Sequence, residues 1–252
     1  VALAFNPDPN AAALNNVGDI LSRFGATAEN MSIGEECEIV NGYEVCNDVP
    51  LPTNAPTVGE LQDFLYTKAG NALTGAVASL DDISSGFSYT YTDPVDGPVE
   101  FDASDVLFIK GIAKSALAFL NIQKAYNLNL DIDRLYNDGI AGAEWTPQDI
   151  YTTYGSLGRV ADSSKLAAAK AYLEGGAADM EAAIEAIQAE GDDQLNDFAT
   201  FDTQAEIDEA LADLQNAKDS LAGPVTVTVA QDDPMTADVD ETQEVELDLS
   251  QF

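Results

Sequence analysis

The chain reads as a mainly α protein carrying a disulfide-closed β-hairpin, a second β-hairpin and C-terminal β-strands. Three observations predict this. Long stretches repeat apolar residues at helical spacing behind recognisable caps. Two cysteines flank an Asn-Gly turn. The last 28 residues switch to a period of two.

Asp8-Pro9 offers a cap followed by a proline at the first helical position. The apolar stripe behind it is Leu14, Val17, Leu21 and Phe24, with Gly25 placed to close the helix. Cys37 and Cys46 come next. Asn41-Gly42 between β-formers predicts a two-residue type I′ turn. Counting outward pairs Val40 with Tyr43, Ile39 with Glu44, Glu38 with Val45 and Cys37 with Cys46. The cysteines then meet at a non-hydrogen-bonded pair, about 4.5 Å apart at Cα. A disulfide tolerates about 4.4–6.8 Å. Such a bond places the chain in an oxidising compartment, extracellular or at the cell surface.

Thr57-Val58-Gly59-Glu60 is a capping box, opening a helix to about Leu80. Phe87, Tyr89 and Tyr91 alternate along a strand, Asp93 to Gly97 turns, and Val99 and Phe101 return. A helix from Ser104 to Tyr126 carries Val106, Ile109, Ile112, Ala113, Leu117, Leu120 and Ala125 on one stripe. Phe108 and Phe119 fall off that stripe, which suggests burial on more than one side. Asp131 to Asn137 reads as one short helical turn, and Thr146-Pro147 caps a short helix through Tyr154. A long Ala-rich helix starts at Asp162 or Ser163 and runs to about Glu190, with Gly175-Gly176 as a break or kink. Thr203 to Glu206 is a second capping box, and Gly223-Pro224 stops its helix. Val225, Val227 and Val229, then Val245, Leu247 and Leu249, form two period-2 strands. The domain organisation is a helical domain, 1–222, with hairpin insertions at about 37–46 and 87–101, and a β segment, 223–252.

The stretch from Phe87 to Phe252 resembles a group of bacterial extracytoplasmic proteins with tetratricopeptide-like helical repeats. The residues that carry this are Phe101-Asp102-Ala103-Ser104-Asp105-Val106-Leu107-Phe108, then Ala189-Glu190-Gly191-Asp192-Asp193-Gln194, then Leu221-Ala222-Gly223-Pro224 before a strand. A strict 34-residue period is absent. The resemblance implies a tetratricopeptide-like antiparallel helical array and brings no catalytic residues.

Charge bounds the partners. Against 45 acidic residues stand 10 basic ones, a net charge of -35. Nucleic acid and anionic membranes need the opposite sign. Salt or divalent cations would relieve the self-repulsion, and a solvated surface that keeps a secreted protein soluble accounts for the same charge. No apolar run of about 18 residues is present, so no transmembrane segment is expected. The opening Val1-Ala2-Leu3-Ala4-Phe5, without Met, is expected of a mature chain whose leader has been removed.

There is no histidine, which removes Ser-His-Asp and Cys-His catalysis and the commonest zinc ligand. No phosphate loop or nucleophile elbow occurs. The expectation is therefore that the chain is not an enzyme. A carboxylate-based hydrolase is the remaining catalytic alternative. No cofactor is expected, except that Asp131, Asp133 and Asp138, with Asn137 and Gly139 nearby, offer an oxygen-rich turn for calcium. They lack EF-hand spacing, and ordinary solvated acidic turns look the same.

The C-terminal strands make at best a marginal hairpin alone. Val1, Ala2, Leu3, Ala4 and Phe5 could add a third strand to that hairpin, within one molecule or between copies, with Val245, Leu247, Leu249 and Phe252 as the other residues of the joint. The leading expectation is a structural subunit of an extracellular, self-assembling filament or tube whose partners are copies of itself. The alternative is a monomeric periplasmic or cell-surface helical-repeat scaffold that binds another protein.

Overall fold

A computed structural model describes residues 14–26, 33–40, 43–93, 97–189, 198–201, 203–223, 225–232 and 239–247. Among these the chain is mainly helical. Its elements run α1 (Val17–Arg23), β1 (Glu35–Val40), β2 (Tyr43–Asp48), α2 (Val58–Asp81), β3 (Ser88–Asp93), β4 (Gly97–Asp102), α3 (Ala103–Ala125), α4 (Ile132–Ile140), α5 (Pro147–Thr153), α6 (Ser163–Ala189), α7 (Gln204–Ala222), β5 (Val225–Asp232) and β6 (Val239–Leu247). The strands form three antiparallel hairpins, β1–β2, β3–β4 and β5–β6. Two compact units emerge, Val1–Gly70 with Gln123–Asp162, and Asn71–Ile122 with Ser163–Phe252. Helices α2 and α3 each contribute to both.

In the first unit, α1 starts later than its proline suggests. Residues 14–16 precede it, and Asn16 caps it by accepting the Asp19 N–H at 3.0 Å. The Asp8-Pro9 signal lies outside the described residues. The buried side of α1 is polar, built from Asp19 and Arg23, whereas Val17 is 54% exposed. Seven residues are too few for an apolar stripe to set the orientation, and Arg23 sets it instead. Its guanidinium forks onto both carboxylate oxygens of Glu60 at 2.9 Å, and its Nε donates to the Asn54 carbonyl at 2.7 Å. Gly25, at φ 91°, closes the helix: its N–H reaches the Ser22 carbonyl, and the Ala26 N–H reaches that of Leu21.

Glu60 also completes the predicted capping box. Its carboxylate accepts the Thr57 N–H at 2.9 Å, and the Thr57 hydroxyl accepts the Glu60 N–H at 3.1 Å. Asp131 to Asn137 extends to a nine-residue helix, α4. The Asn137 amide ties α4 to the loop before α2: its oxygen accepts the Leu51 N–H at 2.7 Å, and its nitrogen donates to the Leu51 carbonyl at 3.0 Å. The cap of α5 is a reciprocal Thr146–Asp149 box, as Thr146-Pro147 predicts.

In the second unit, Asp102 caps α3. Its Oδ1 accepts the Ser104 N–H at 2.7 Å, while Asp105 Oδ2 accepts the Asp102 N–H at 3.0 Å. The other oxygen of Asp105 accepts the Ala199 N–H at 2.9 Å, and the Phe198 N–H donates to the Glu100 carbonyl at 3.0 Å. Phe101 packs edge-to-face on Phe87 and on Phe198, with centroids 6.0 and 5.7 Å apart. Asp105 thus knits hairpin, helix and the 198–199 segment together.

Helix α3 is not buried all round. Phe119 is 60% exposed, and Ile112, read on its buried stripe, is also exposed. Helix α6 runs unbroken through Gly175 and Gly176. Gly176 serves proximity: a Cβ there would lie 3.0 Å from the Gly111 carbonyl oxygen of α3. Beside this crossing, Asp179 of α6 pairs with Lys110 at 3.2 Å and Lys114 at 2.5 Å, and Lys110 also reaches Asp81 at 2.9 Å. The side chain of Lys218 on α7 meets Glu181 of α6 at 2.8 Å.

Candidate self-association surfaces

The structure places the sequence-derived site residues unevenly. Cys37 and Cys46 are partners in the β1–β2 register, 4.0 Å apart at Cα and joined as a disulfide. The close approach is that of a non-hydrogen-bonded pair. Val1, Ala2, Leu3, Ala4 and Phe5 lie outside the described residues, as do Leu249 and Phe252. Val245 and Leu247 lie in β6, opposite Val227 and Val225. That strand begins at Val239, so the hairpin is longer than its alternating segment suggests. Among the described residues β5 and β6 pair only with each other, over eight register positions.

The calcium candidates do not converge. Asp131 Oδ2 accepts the Tyr154 hydroxyl at 3.3 Å, and Asp138 lies 3.9 Å from Arg134 one helical turn away. Asn137 is committed to Leu51. Among the described residues, the grouping of potential ligand atoms that does gather is Glu35 with Cys37 and Cys46. Those sulfurs are bonded to each other, so no thiolate is on offer.

The clefts of the first unit carry carboxylates already committed to cations. One, of about 400 Å³, is lined by Leu14, Glu60, Asp63, Phe64 and Lys68. Asp63 pairs with Lys124, and Glu60 with Arg23. The Arg23 hydrogen bonds hold the Glu60 carboxyl below its ordinary value, with help from Thr57, against an opposing contribution from burial. A general acid needs the opposite shift. In the second unit burial pushes the Asp105 carboxyl up, and the Asp102 and Glu100 charges add to this, while the N–H groups of Asp102 and Ala199 oppose it. Its two oxygens are both occupied by backbone donors, so it has a structural task.

Large apolar side chains stand in solvent at several places, including Ile39 on the disulfide hairpin and Tyr89, Tyr91 and Phe198 around β3–β4. Sequence reasoning missed Phe198 and the Asp102–Asp105 cap. The cap has a readable signal, because two carboxylates three residues apart reproduce the capping-box spacing before an apolar run. No helix among the described residues is long and apolar enough to cross a membrane. No family model, no curated protein and no solved structure matches the chain.

Proposed function

We propose that the chain is a structural subunit that assembles with copies of itself outside the cell, into a filament or tube. The observation that supports this most is the C-terminal hairpin. Its two strands are paired with each other over eight positions. A two-stranded hairpin is marginal in water, and among the described residues no third strand pairs with its outer edges, where a further strand could add. Val1–Phe5 of a neighbouring copy is the proposed third strand, adding main-chain hydrogen bonds between subunits. A tetratricopeptide-like array of the helices forms the body in this reading. The disulfide fits an oxidising compartment. With a net charge of -35, copies approach only when salt or divalent cations screen them.

The test is deletion of Val1–Phe5, followed by negative-stain electron microscopy in high salt. Loss of the particles seen with the full chain is expected. Native particles from the truncated chain sink the strand joint. A monomeric helical scaffold is the second reading, supported by the exposed Tyr89, Tyr91 and Phe198, which leave an aromatic surface for a different protein.

A further inference from the structure

The disulfide hairpin carries an electrostatic feature that pairing alone does not require. Glu35 stands opposite Asp48 in the register, next but one to the Cys37–Cys46 pair and on the same face. Like charges directly opposite on neighbouring strands repel. Both side chains are exposed, and among the described residues no lysine or arginine forms an ion pair with either. A Glu35 carboxylate oxygen lies within 4.8 Å of both sulfurs. The nearby Tyr136 phenol reports the same field. Burial first, then the negative charges of Asp48 and Glu35, push it above its ordinary value, while its hydroxyl donates to the Gly34 carbonyl at 2.6 Å. Cys46 is itself exposed, so solution thiols can reach the bond.

We infer that this disulfide is guarded by charge: Glu35 and Asp48 slow its reduction by anionic thiols and leave it open to cationic ones. The chemistry is thiol–disulfide exchange. A reductant thiolate attacks one sulfur, a mixed disulfide forms, and the S–S electron pair leaves on the other cysteine as thiolate, which takes a proton. A second reductant thiol resolves the mixed disulfide. Two reductant thiols are oxidised to one disulfide, and the protein disulfide becomes two thiols. The carboxylates act twice. They repel the incoming thiolate, and they raise the energy of the leaving thiolate, which slows its departure. A second negative charge on the reductant adds to the first effect, and an ammonium group cancels it. The exposed bond thus persists against anionic thiols without being buried, and the hairpin keeps its like-charged strands together.

The experiment follows reduction of the full-length protein by alkylation and mass measurement. Cysteamine, 2-mercaptoethanol and glutathione are compared at equal thiolate concentration, in about 10 mM and about 1 M salt, and each rate is divided by that of the same thiol on an uncharged disulfide, bis(2-hydroxyethyl) disulfide, which removes the difference in intrinsic nucleophilicity. The expected order is cysteamine, then 2-mercaptoethanol, then glutathione. The ends should differ by roughly four- to tenfold at low salt, and the gap should close at high salt. Glu35→Gln should narrow the gap, while Glu209→Gln, an exposed acid on α7, should not. Equal normalised rates for the three thiols overturn the inference. So does a gap that Glu209→Gln narrows as much as Glu35→Gln, because net charge would then be the cause. A rate independent of thiol concentration overturns it as well, since opening of the hairpin would then set the pace.

Discussion

Two carboxylates show how one residue type is put to opposite uses. Glu60 is held below its usual range by Arg23, so the folded state binds its proton less tightly than the unfolded chain does. Its contribution to stability is full above the ordinary value of 4.5 and is lost as pH falls through the depressed folded value. Asp105 behaves in reverse. Burial raises it above 3.8, so its contribution is full below 3.8 and is lost as pH rises through the raised folded value. Glu60→Gln removes the arginine fork and half of the capping box. A loss of about 1–2 kcal/mol at neutral pH is expected, held to that size because the carboxylate is partly open to solvent. Chemical denaturation between pH 7 and pH 3 separates the two groups. The wild type should lose more stability than Glu60→Gln at the acid end, and should gain relative to Asp105→Asn on first acidification. Parallel curves for wild type and both variants would reject these assignments.

At the scale of elements, local information was legible and distant contact was not. The Cys37–Cys46 register follows from a two-residue turn and counting, because hairpin partners are fixed within ten residues. The Thr57–Glu60 and Thr146–Asp149 boxes are equally local. Helix α1 defeated the apolar stripe because its orientation comes from Arg23 meeting Glu60, 37 residues on. The Gly175-Gly176 pair does not break α6. Its meaning lies in Gly111 of another helix, and no spacing within α6 encodes that. Of the candidate site, the disulfide was legible in full. The acidic pair beside it follows from the same register, since counting two positions beyond the cysteines sets Glu35 opposite Asp48, and only its distance to the sulfurs needed the structure. The glycines give a paired prediction of opposite sign. Gly176→Ala forces a Cβ to 3.0 Å from backbone and should cost about 1–3 kcal/mol. Gly75→Ala, inside α2 with nothing within 4 Å, should stabilise by about 0.5–1 kcal/mol. Thermal melts of both variants check this, and a gain from Gly176→Ala would remove the close crossing from the account.

For the whole molecule, charge balance decides between two responses to salt. Salt bridges alone would make added salt destabilising, since screening weakens each pair. At least six of the ten basic residues sit in such pairs among the described residues: Arg23, Lys110, Lys114, Lys124, Arg134 and Lys218. Yet pairing every base still leaves 45 − 10 = 35 acidic residues uncompensated. Exposed pairs contribute about 0–1 kcal/mol each, so their combined screening loss is bounded. Repulsion grows with the number of like-charged pairs, and a net charge this large penalises the folded chain more than the expanded one. The folded state therefore gains from screening. Raising sodium chloride from about 10 mM to about 1 M should raise the melting temperature, by about 2–4 °C for each kcal/mol recovered. Calcium at millimolar concentration should produce no gain beyond that of an equal ionic strength of sodium, because Asp131, Asp133 and Asp138 do not converge on one point. Differential scanning calorimetry of the full chain at matched ionic strengths reads both effects. A melting temperature that falls with sodium chloride would mean that the ion pairs outweigh the repulsion. An excess gain with calcium would point to a cation site among the remaining acidic groups.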